Sequence, residues 1–192
     1  MLELDVNTIE KNWKTYEKLA SKLDDESVNK LTSVIGERIC LAPASTHTDT
    51  PGCYRGGLVQ NALMITSYMR KLNDLYELDI PVQSIIKIGL FHDIGRVGDL
   101  EDDLLVEQDS KWHREKLGQM YKYNEDVEKM SISHRGLWLL QSFGIGLSRE
   151  EWVSFQVAQG NHFEENRFYV GSTPSLGIIV QQSRAIVSYK SS

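Results

Sequence analysis

The chain has 192 residues, of which 41% are hydrophobic and 25% charged, so it is long enough to bury a core as one soluble globular domain. Its 21 basic and 27 acidic residues give a net charge of −6 at pH 7, which argues against non-specific binding to nucleic acid or to anionic membranes. The two cysteines, Cys40 and Cys53, are too few for a disulfide scaffold and form no CxxC pair. We therefore expect free thiols in a reducing compartment.

The N-terminal segment points to the same class of protein. Residues 1–5 are acidic and apolar and lack the basic region that opens a signal peptide. No apolar run approaches the roughly 20 residues that a membrane-spanning helix needs. The sequence therefore predicts a cytoplasmic protein without a membrane anchor, and it leaves the oligomeric state open.

Apolar residues recur at helical spacing along most of the chain. Asn7 resembles an N-cap with Glu10 at the third helical position, which predicts a first helix over residues 8–23 that packs within the chain or meets a partner. Further helices are predicted over residues 27–39, 57–75, 82–94, 111–123, 132–143, 148–158 and 175–188. Because no strand pattern is convincing, these segments predict an all-α bundle of seven to nine helices.

Three segments have the composition of connections. Residues 42–54 contain Pro, Gly and Thr, and residues 160–173 contain Gly and Asn, so both are predicted to be loops. The aromatic side chains of the second loop either fill the base of the helices or line a binding surface. The acidic stretch 99–109 matches no calcium-loop spacing and is predicted to be a solvated connection.

The helix predicted over residues 82–94 ends in an adjacent histidine and aspartate. It is apolar almost all round, which marks it as the central helix of the bundle. His92 and Asp93 at its C-terminal end could share one divalent cation, with the imidazole giving a nitrogen and the carboxylate bridging. Two ligands do not make a catalytic site, so the assignment depends on the residues around them.

Four segments carry a wider pattern: Pro-Ala-Ser at 43–45, Arg-Gly-Gly-Leu-Val-Gln-Asn-Ala-Leu at 55–63, the His-Asp segment at 90–99 and Lys-Trp-His-Arg-Glu-Lys-Leu-Gly at 111–118. Together they resemble the HD superfamily of metal-dependent phosphohydrolases, and its small bacterial and phage members in particular. The resemblance implies a single HD-like helical domain over residues 1–192, with an N-terminal helix at 1–24 and an HD core at 30–190. It also implies a divalent metal centre, and some such relatives degrade RNA ends or nucleotides.

The chain departs from the family pattern at the first and last metal ligands. Asn61 stands where the resemblance places the first ligand, a histidine, and an amide oxygen is a poor ligand for zinc, manganese or iron. The last ligand, an aspartate in the C-terminal helix, falls on Ser183 or Arg184, and the sequence leaves that register open. Either residue removes the carboxylate, and Arg184 would place a permanent positive charge where a cation should bind.

Family members that hold two metals have two further histidines, which this chain lacks in register. Ala158 stands where the second of them is expected. His134 and His162 are shifted by two and four residues, and a shift of two turns a helical side chain by about 200°. Each is either a displaced third ligand or a surface or capping histidine.

These departures predict a catalytically inactive protein with no catalytic residues, no bound metal and no cofactor. With only His92 and Asp93 in place, metal affinity would be weak, and Arg184 could instead form a charge-assisted pair with Asp93. The ancestral pocket, which also includes Asn61 and Ala158, would then be satisfied without a cation.

Two functions from different classes remain. The first is a binding or regulatory module for a protein partner, or for a nucleotide or phosphate held by Arg96, Arg184 and Lys87. The second is a phosphohydrolase acting on nucleotides or RNA ends, with a single divalent transition metal bound by the His-Asp pair and one displaced histidine. The second needs three ligands within about 2.0–2.2 Å of one cation. A cysteine or serine hydrolase lacks support, because the sequence has no GxSxG elbow and neither cysteine has a neighbouring base.

Overall fold

The computed structural model describes residues 3–190 and shows an all-α bundle with one short β-hairpin. The described residues form eight α-helices: α1 (Val6–Ala20), α2 (Glu26–Leu41), α3 (Gly57–Tyr76), α4 (Val82–Phe91), α5 (Lys111–Leu117), α6 (Ile132–Phe143), α7 (Arg149–Val157) and α8 (Ser175–Lys190). Shorter 3₁₀-helices lie at Ser21–Leu23, Ile94–Arg96 and Glu164–Tyr169. In this part of the chain no helix combines the length and the apolar character needed to cross a membrane. The predicted domain limits, residues 1 and 192, lie outside the described residues.

Most helix positions agree with the sequence pattern, and the caps explain where the helices begin. The predicted cap at Asn7 is wrong, because Asp5 accepts the Thr8 backbone N–H at 2.9 Å and α1 already begins at Val6. The predicted capping box of α7 is present: Ser148 accepts from the Glu151 backbone N–H, and the Glu151 carboxylate accepts from the Ser148 N–H.

The region predicted as one helix over residues 111–123 divides into a helix and a strand. Gly118 ends α5 in the left-handed conformation, with φ at 64°. The chain then forms β2 (Tyr121–Tyr123), which pairs antiparallel with β1 (Leu105–Glu107) in the stretch predicted as a solvated connection. The loop predicted over residues 160–173 likewise contains the 3₁₀-helix Glu164–Tyr169. These strands and the 3₁₀-helix are corrections to the sequence-based prediction.

The core is centred on α4, as its apolar sequence predicts. Helix α4 packs against α1, α3, α7 and α8, and its last turn, Ile88–Phe91, is at most 3% exposed at each apolar side chain. Helices α3 and α4 lie unusually close at Gly89, where an added Cβ would be 2.3 Å from Thr66 Oγ1. This close contact fixes the end of α4 immediately before His92.

Arg38 of α2 fixes the chain on the other side of the His-Asp segment. Its guanidinium donates to the carbonyl oxygens of Val97 and Asp99, at 3.2 and 2.9 Å, and pairs with Asp103 at 2.7 Å. The segment from α4 to β1 is therefore tied to the bundle at both of its ends.

Candidate functional site

His92 and Asp93 lie at the C-terminal end of α4, as the sequence predicts. His92 caps the helix, and its backbone N–H donates to Ile88 O at 2.9 Å. Asp93 then leaves helical geometry, with φ −112° and ψ 8°, and a 3₁₀-turn follows. That turn brings Arg96 back to Asp93, so that its Nε lies 3.2 Å from Oδ2.

Side chains from three segments converge on the Asp93 carboxylate, whose side chain is 8% exposed. Arg184 Nη1 of α8 lies 2.8 Å from Oδ2, on the same oxygen that Arg96 contacts. Gln159, just after α7, donates its Nε2 to Oδ1 and accepts from Arg184 Nη2 at 3.1 Å. The ion pair predicted between Arg184 and Asp93 is therefore present, and Gln159 connects its two members.

The contacts at Oδ2 are short but are not directed as hydrogen bonds. Arg184 Nη1, Arg96 Nε and His92 Nε2 lie 2.8, 3.2 and 3.8 Å from this one oxygen. Within the described residues none of these buried nitrogens has a hydrogen-bond partner. Burial alone would raise the pKa of Asp93, but Arg184 and then Arg96 outweigh it and hold the pKa well below its usual value. Asp93 is therefore a buried anion stabilised mainly by the two guanidinium charges.

His92 is fully buried and neutral near pH 7. Its Nδ1 lies 3.0 Å from Gly89 O and 3.2 Å from Ile88 O, and because both atoms accept, Nδ1 carries the proton. Burial is the main cause that lowers the pKa of His92 to about 4; the nearby Asp93 opposes the shift and Arg184 adds to it. The unprotonated Nε2 consequently faces Asp93 with a free lone pair.

The free Nε2 of His92 and the Asp93 carboxylate form half of a metal site. Their separation of 3.8 Å would allow both to bind one cation at about 2.0–2.2 Å. Two guanidinium groups, however, occupy the carboxylate where further ligands would be needed. In residues 3–190 no group of three or more His, Cys, Asp or Glu side chains is arranged to hold a metal ion. The donor set around Asp93 therefore does not fit the metal centre that the family resemblance implies.

The other predicted ligand positions contribute no donor to this cluster. Asn61, half-buried in α3, donates its amide to Pro51 O at 3.2 Å. Ala158 is 1% exposed and brings only a methyl group to the end of α7. His134 and His162 are both exposed, so the structure does not bring either to the His-Asp pair.

Of the two residues that the resemblance places at the last ligand position, one contacts Asp93. Arg184 reaches Asp93, whereas the neighbouring Ser183 is fully buried and has no hydrogen-bond partner among the described residues. The side chain that faces His92 and Asp93 is therefore that of Arg184.

Lys87, predicted as a possible phosphate-binding residue, is engaged elsewhere. Its ammonium lies 3.2 Å from Glu151 Oε2 and donates to Gly146 O at 3.1 Å. It precedes His92 by five positions, which turns it by about 140° around the helix axis, away from the His-Asp face. The structure thus assigns Lys87 to the contact between α4 and the N-terminus of α7.

Sequence reasoning missed Gln159, which touches both members of the ion pair. The available signal was its place in Ala158-Gln159-Gly160, the segment expected to provide a family histidine. An amide can donate to a carboxylate and accept from a guanidinium at once, which neither neighbour could do.

No protein-family model matches the chain, and neither a curated protein nor a solved structure matches it.

Proposed function

We propose that the chain is a non-catalytic binding protein with an HD-like helical fold, in which two arginines take the place of a metal ion. The observation that carries this proposal is the 2.8 Å contact between Arg184 Nη1 and Asp93 Oδ2, with Arg96 Nε at 3.2 Å from the same oxygen. One carboxylate faces two guanidinium groups beside a neutral histidine, so the cluster has a net charge of +1. A divalent cation would have to displace fixed positive charges to reach Asp93.

Metal-dependent phosphoryl transfer needs a cation that both neutralises phosphate oxygens and lowers the pKa of bound water. The cluster offers only the first, because its positive charges are guanidinium groups, which can bind a phosphate but do not generate hydroxide. With Arg96 and Arg184 on the Asp93 carboxylate, this cluster is better suited to binding than to hydrolysis.

A phosphate-bearing ligand such as a nucleotide is the second candidate, and one observation favours it. Arg96 also lines a cavity of about 480 Å³ with Arg38 and Arg55. The same lining contains Glu37, Glu107 and Asp103, and Asp103 already pairs with Arg38. Arg55 is exposed and forms no ion pair within the described residues. A phosphate in this cavity would be bound by Arg55 and the free edge of Arg96, while Arg184 stays on Asp93.

The proposal is tested by metal content and turnover of protein purified without chelator. We expect substoichiometric metal and, across nucleotides and phosphodiesters in Mn²⁺, Fe²⁺, Co²⁺ and Ni²⁺, no hydrolysis above that of His92→Ala. Stoichiometric metal together with turnover abolished by His92→Ala would establish the single-metal phosphohydrolase instead.

The same protein decides the second candidate by calorimetric titration with a nucleotide panel. Binding that weakens in Arg55→Gln but not in Arg70→Gln, an exposed arginine of α3, supports the phosphate ligand. Equal behaviour of the two variants removes it.

A further inference from the structure

A second cavity, of about 1290 Å³, is lined by residues of α1, α2 and the hairpin region, and neither His92, Asp93 nor Arg184 lines it. We call it the α1–α2 groove. Its apolar lining includes Leu4, Ile9, Trp13, Leu41 and Met120. The groove adjoins the phosphate cavity described above and shares Glu37, Arg55 and Glu107 with it, but a ligand in the groove needs neither Asp93 nor Arg184.

Trp13 is a rigid aromatic side chain within this groove. Its ring stacks on Tyr16 with centroids 5.3 Å apart, and Tyr16 is 1% exposed. On its other side it lies against α2, where a Cβ added at Gly36 would be 3.1 Å from the indole. Trp13 itself is partly buried and keeps part of its ring exposed. A partner that covers it would bury aromatic surface without having to order the side chain first.

The rim of the groove is acidic. Its lining contains two basic residues, Arg55 and Arg114, and five acidic residues: Glu3, Glu10, Glu17, Glu37 and Glu107. All five glutamates are exposed, and none forms an ion pair with another described residue. Arg114 is already engaged, since its guanidinium donates to Gln108 O. The side chains that line the groove therefore carry a net charge of −3.

The field of these carboxylates reaches the interior of the groove. The pKa of the Cys40 thiol, which lines it, is raised by burial first and then by Glu17, Glu37 and Glu10. Carboxylates from both helices thus act on one point between them, where a positive group would be attracted.

We infer that the α1–α2 groove binds a basic amphipathic peptide segment of a partner protein. Apolar side chains of the segment lie against Trp13 and Ile9, and its lysines or arginines face Glu10, Glu17 and Glu37. The volume exceeds the roughly 300–1,000 Å³ of small-ligand pockets, which favours a peptide over a small cation. A second copy of this chain is disfavoured, since each copy carries a net charge of −6.

The experiment selects binders from a library of random 16-residue peptides displayed on phage, with the full chain as bait. We expect the enriched peptides to alternate Lys or Arg with large apolar residues. Glu10→Gln/Glu17→Gln/Glu37→Gln should weaken the best peptide about tenfold at low ionic strength and less at high salt. The matched control is Glu125→Gln/Glu150→Gln/Glu164→Gln, which changes three exposed glutamates outside the groove and should leave affinity unchanged.

Because the Cys40 thiol lines the groove, its reactivity shows whether a peptide binds there, and no substitution is needed. Bound peptide should slow alkylation of Cys40, measured by peptide mapping in a mass spectrometer. The inference is overturned if no peptide is enriched, if enriched peptides are neutral or acidic, or if both glutamate triples weaken binding equally. It is also overturned if Cys40 is not protected by peptide, or if spermidine alone protects Cys40 where peptides do not. A dimer in sedimentation whose Cys40 is already protected without peptide would overturn it as well.

Discussion

Arg184 Nη1 lies 2.8 Å from Asp93 Oδ2, so the last helix of the bundle is joined to the end of its central helix by a nearly buried ion pair. Gln159 accepts from Arg184 and donates to Asp93, which links the segment after α7 to the same contact. The cluster therefore ties together three segments that are distant in sequence, and its removal should be visible in stability rather than in turnover.

The first prediction is that Arg184→Met destabilises the fold although it keeps an unbranched apolar stem. Asp93 would keep only Arg96 as a counter-ion while staying 8% exposed. We expect the free energy of unfolding in urea to fall by about 2 kcal/mol, less than the ~3–5 kcal/mol typical of a buried ion left without any partner.

Arg70→Met is the matched control, because Arg70 is exposed on α3 and forms no ion pair among the described residues. It should change stability by no more than about 0.5 kcal/mol. Equal losses in the two variants would mean that the Arg184 contact contributes nothing beyond an ordinary surface arginine.

The second prediction concerns pH. The pKa of His92 is about 4 in the folded chain against 6.5 as its ordinary value, so between these values the unfolded state binds a proton that the folded state does not. The free energy of unfolding should therefore fall as pH drops from 6.5 to 4, by up to about 3 kcal/mol. Asp93 contributes to the pH dependence only below this window. Its pKa in the folded chain is below the ordinary 3.8, so the stability that its charge provides is lost only as pH falls under 3.8.

Urea titrations at stepped pH measure this dependence, and His92→Gln should flatten it between pH 6.5 and 4. His134→Gln, which removes an exposed histidine, should leave the His92 part of the slope intact. A slope that survives in His92→Gln would show that another group causes it.

The third prediction tests the close contact of α3 and α4. In Gly89→Ala the new Cβ would lie 2.3 Å from Thr66 Oγ1 and 2.9 Å from Thr66 Cβ, so the helices must separate beside His92. We expect a loss of about 1–3 kcal/mol in the free energy of unfolding. Gly146→Ala makes the same chemical change where nothing lies within 4 Å of the new Cβ, and it should be neutral or slightly stabilising. Equal effects of the two substitutions in thermal or urea unfolding would contradict the packing argument.

The helices could be predicted because their apolar periodicity lies within each segment. The two strands could not, because strand formation depends on pairing between segments that are distant in sequence. The run from Ile85 to Leu90 already marks α4 as apolar almost all round, and its isoleucines and leucine are buried. Strands of three residues are too short to show an alternation of apolar and polar residues. The strands β1 and β2 are therefore identified only by their pairing in the fold, in which Leu105 lies opposite Tyr123. Gly118 was the local sign that α5 stops early.

At the site, sequence reasoning found the ion pair but not its full environment. The charge of Arg184 at an expected carboxylate position made a contact with Asp93 one of two alternatives, and only the fold distinguishes Arg184 from Ser183. Lys87 shows the limit, since its charge suggested a phosphate ligand while its position on α4 directs it to Glu151. Gln159 was missed because an amide has no charge and its role depends on two residues brought together by the fold.

The last prediction restores the ligands that the family resemblance implies. Asn61→His/Arg184→Asp would add an imidazole and a carboxylate to His92 and Asp93, and it would remove one of the two guanidinium groups that repel a cation. We expect this variant to bind Mn²⁺ or Co²⁺ in calorimetric titrations at pH 7.5, and the wild-type chain to bind neither detectably. Asn61→His alone is the control, because Arg184 would still occupy Asp93 and metal affinity should stay absent. Since Asn61 Nδ2 lies within contact distance of Gly52, the loop over residues 51–54 must move slightly to admit the larger ring. No gain of affinity in the folded double variant would show that Asn61 and Arg184 are not the positions of the lost ligands, and the HD-like origin of the pocket would have to be abandoned.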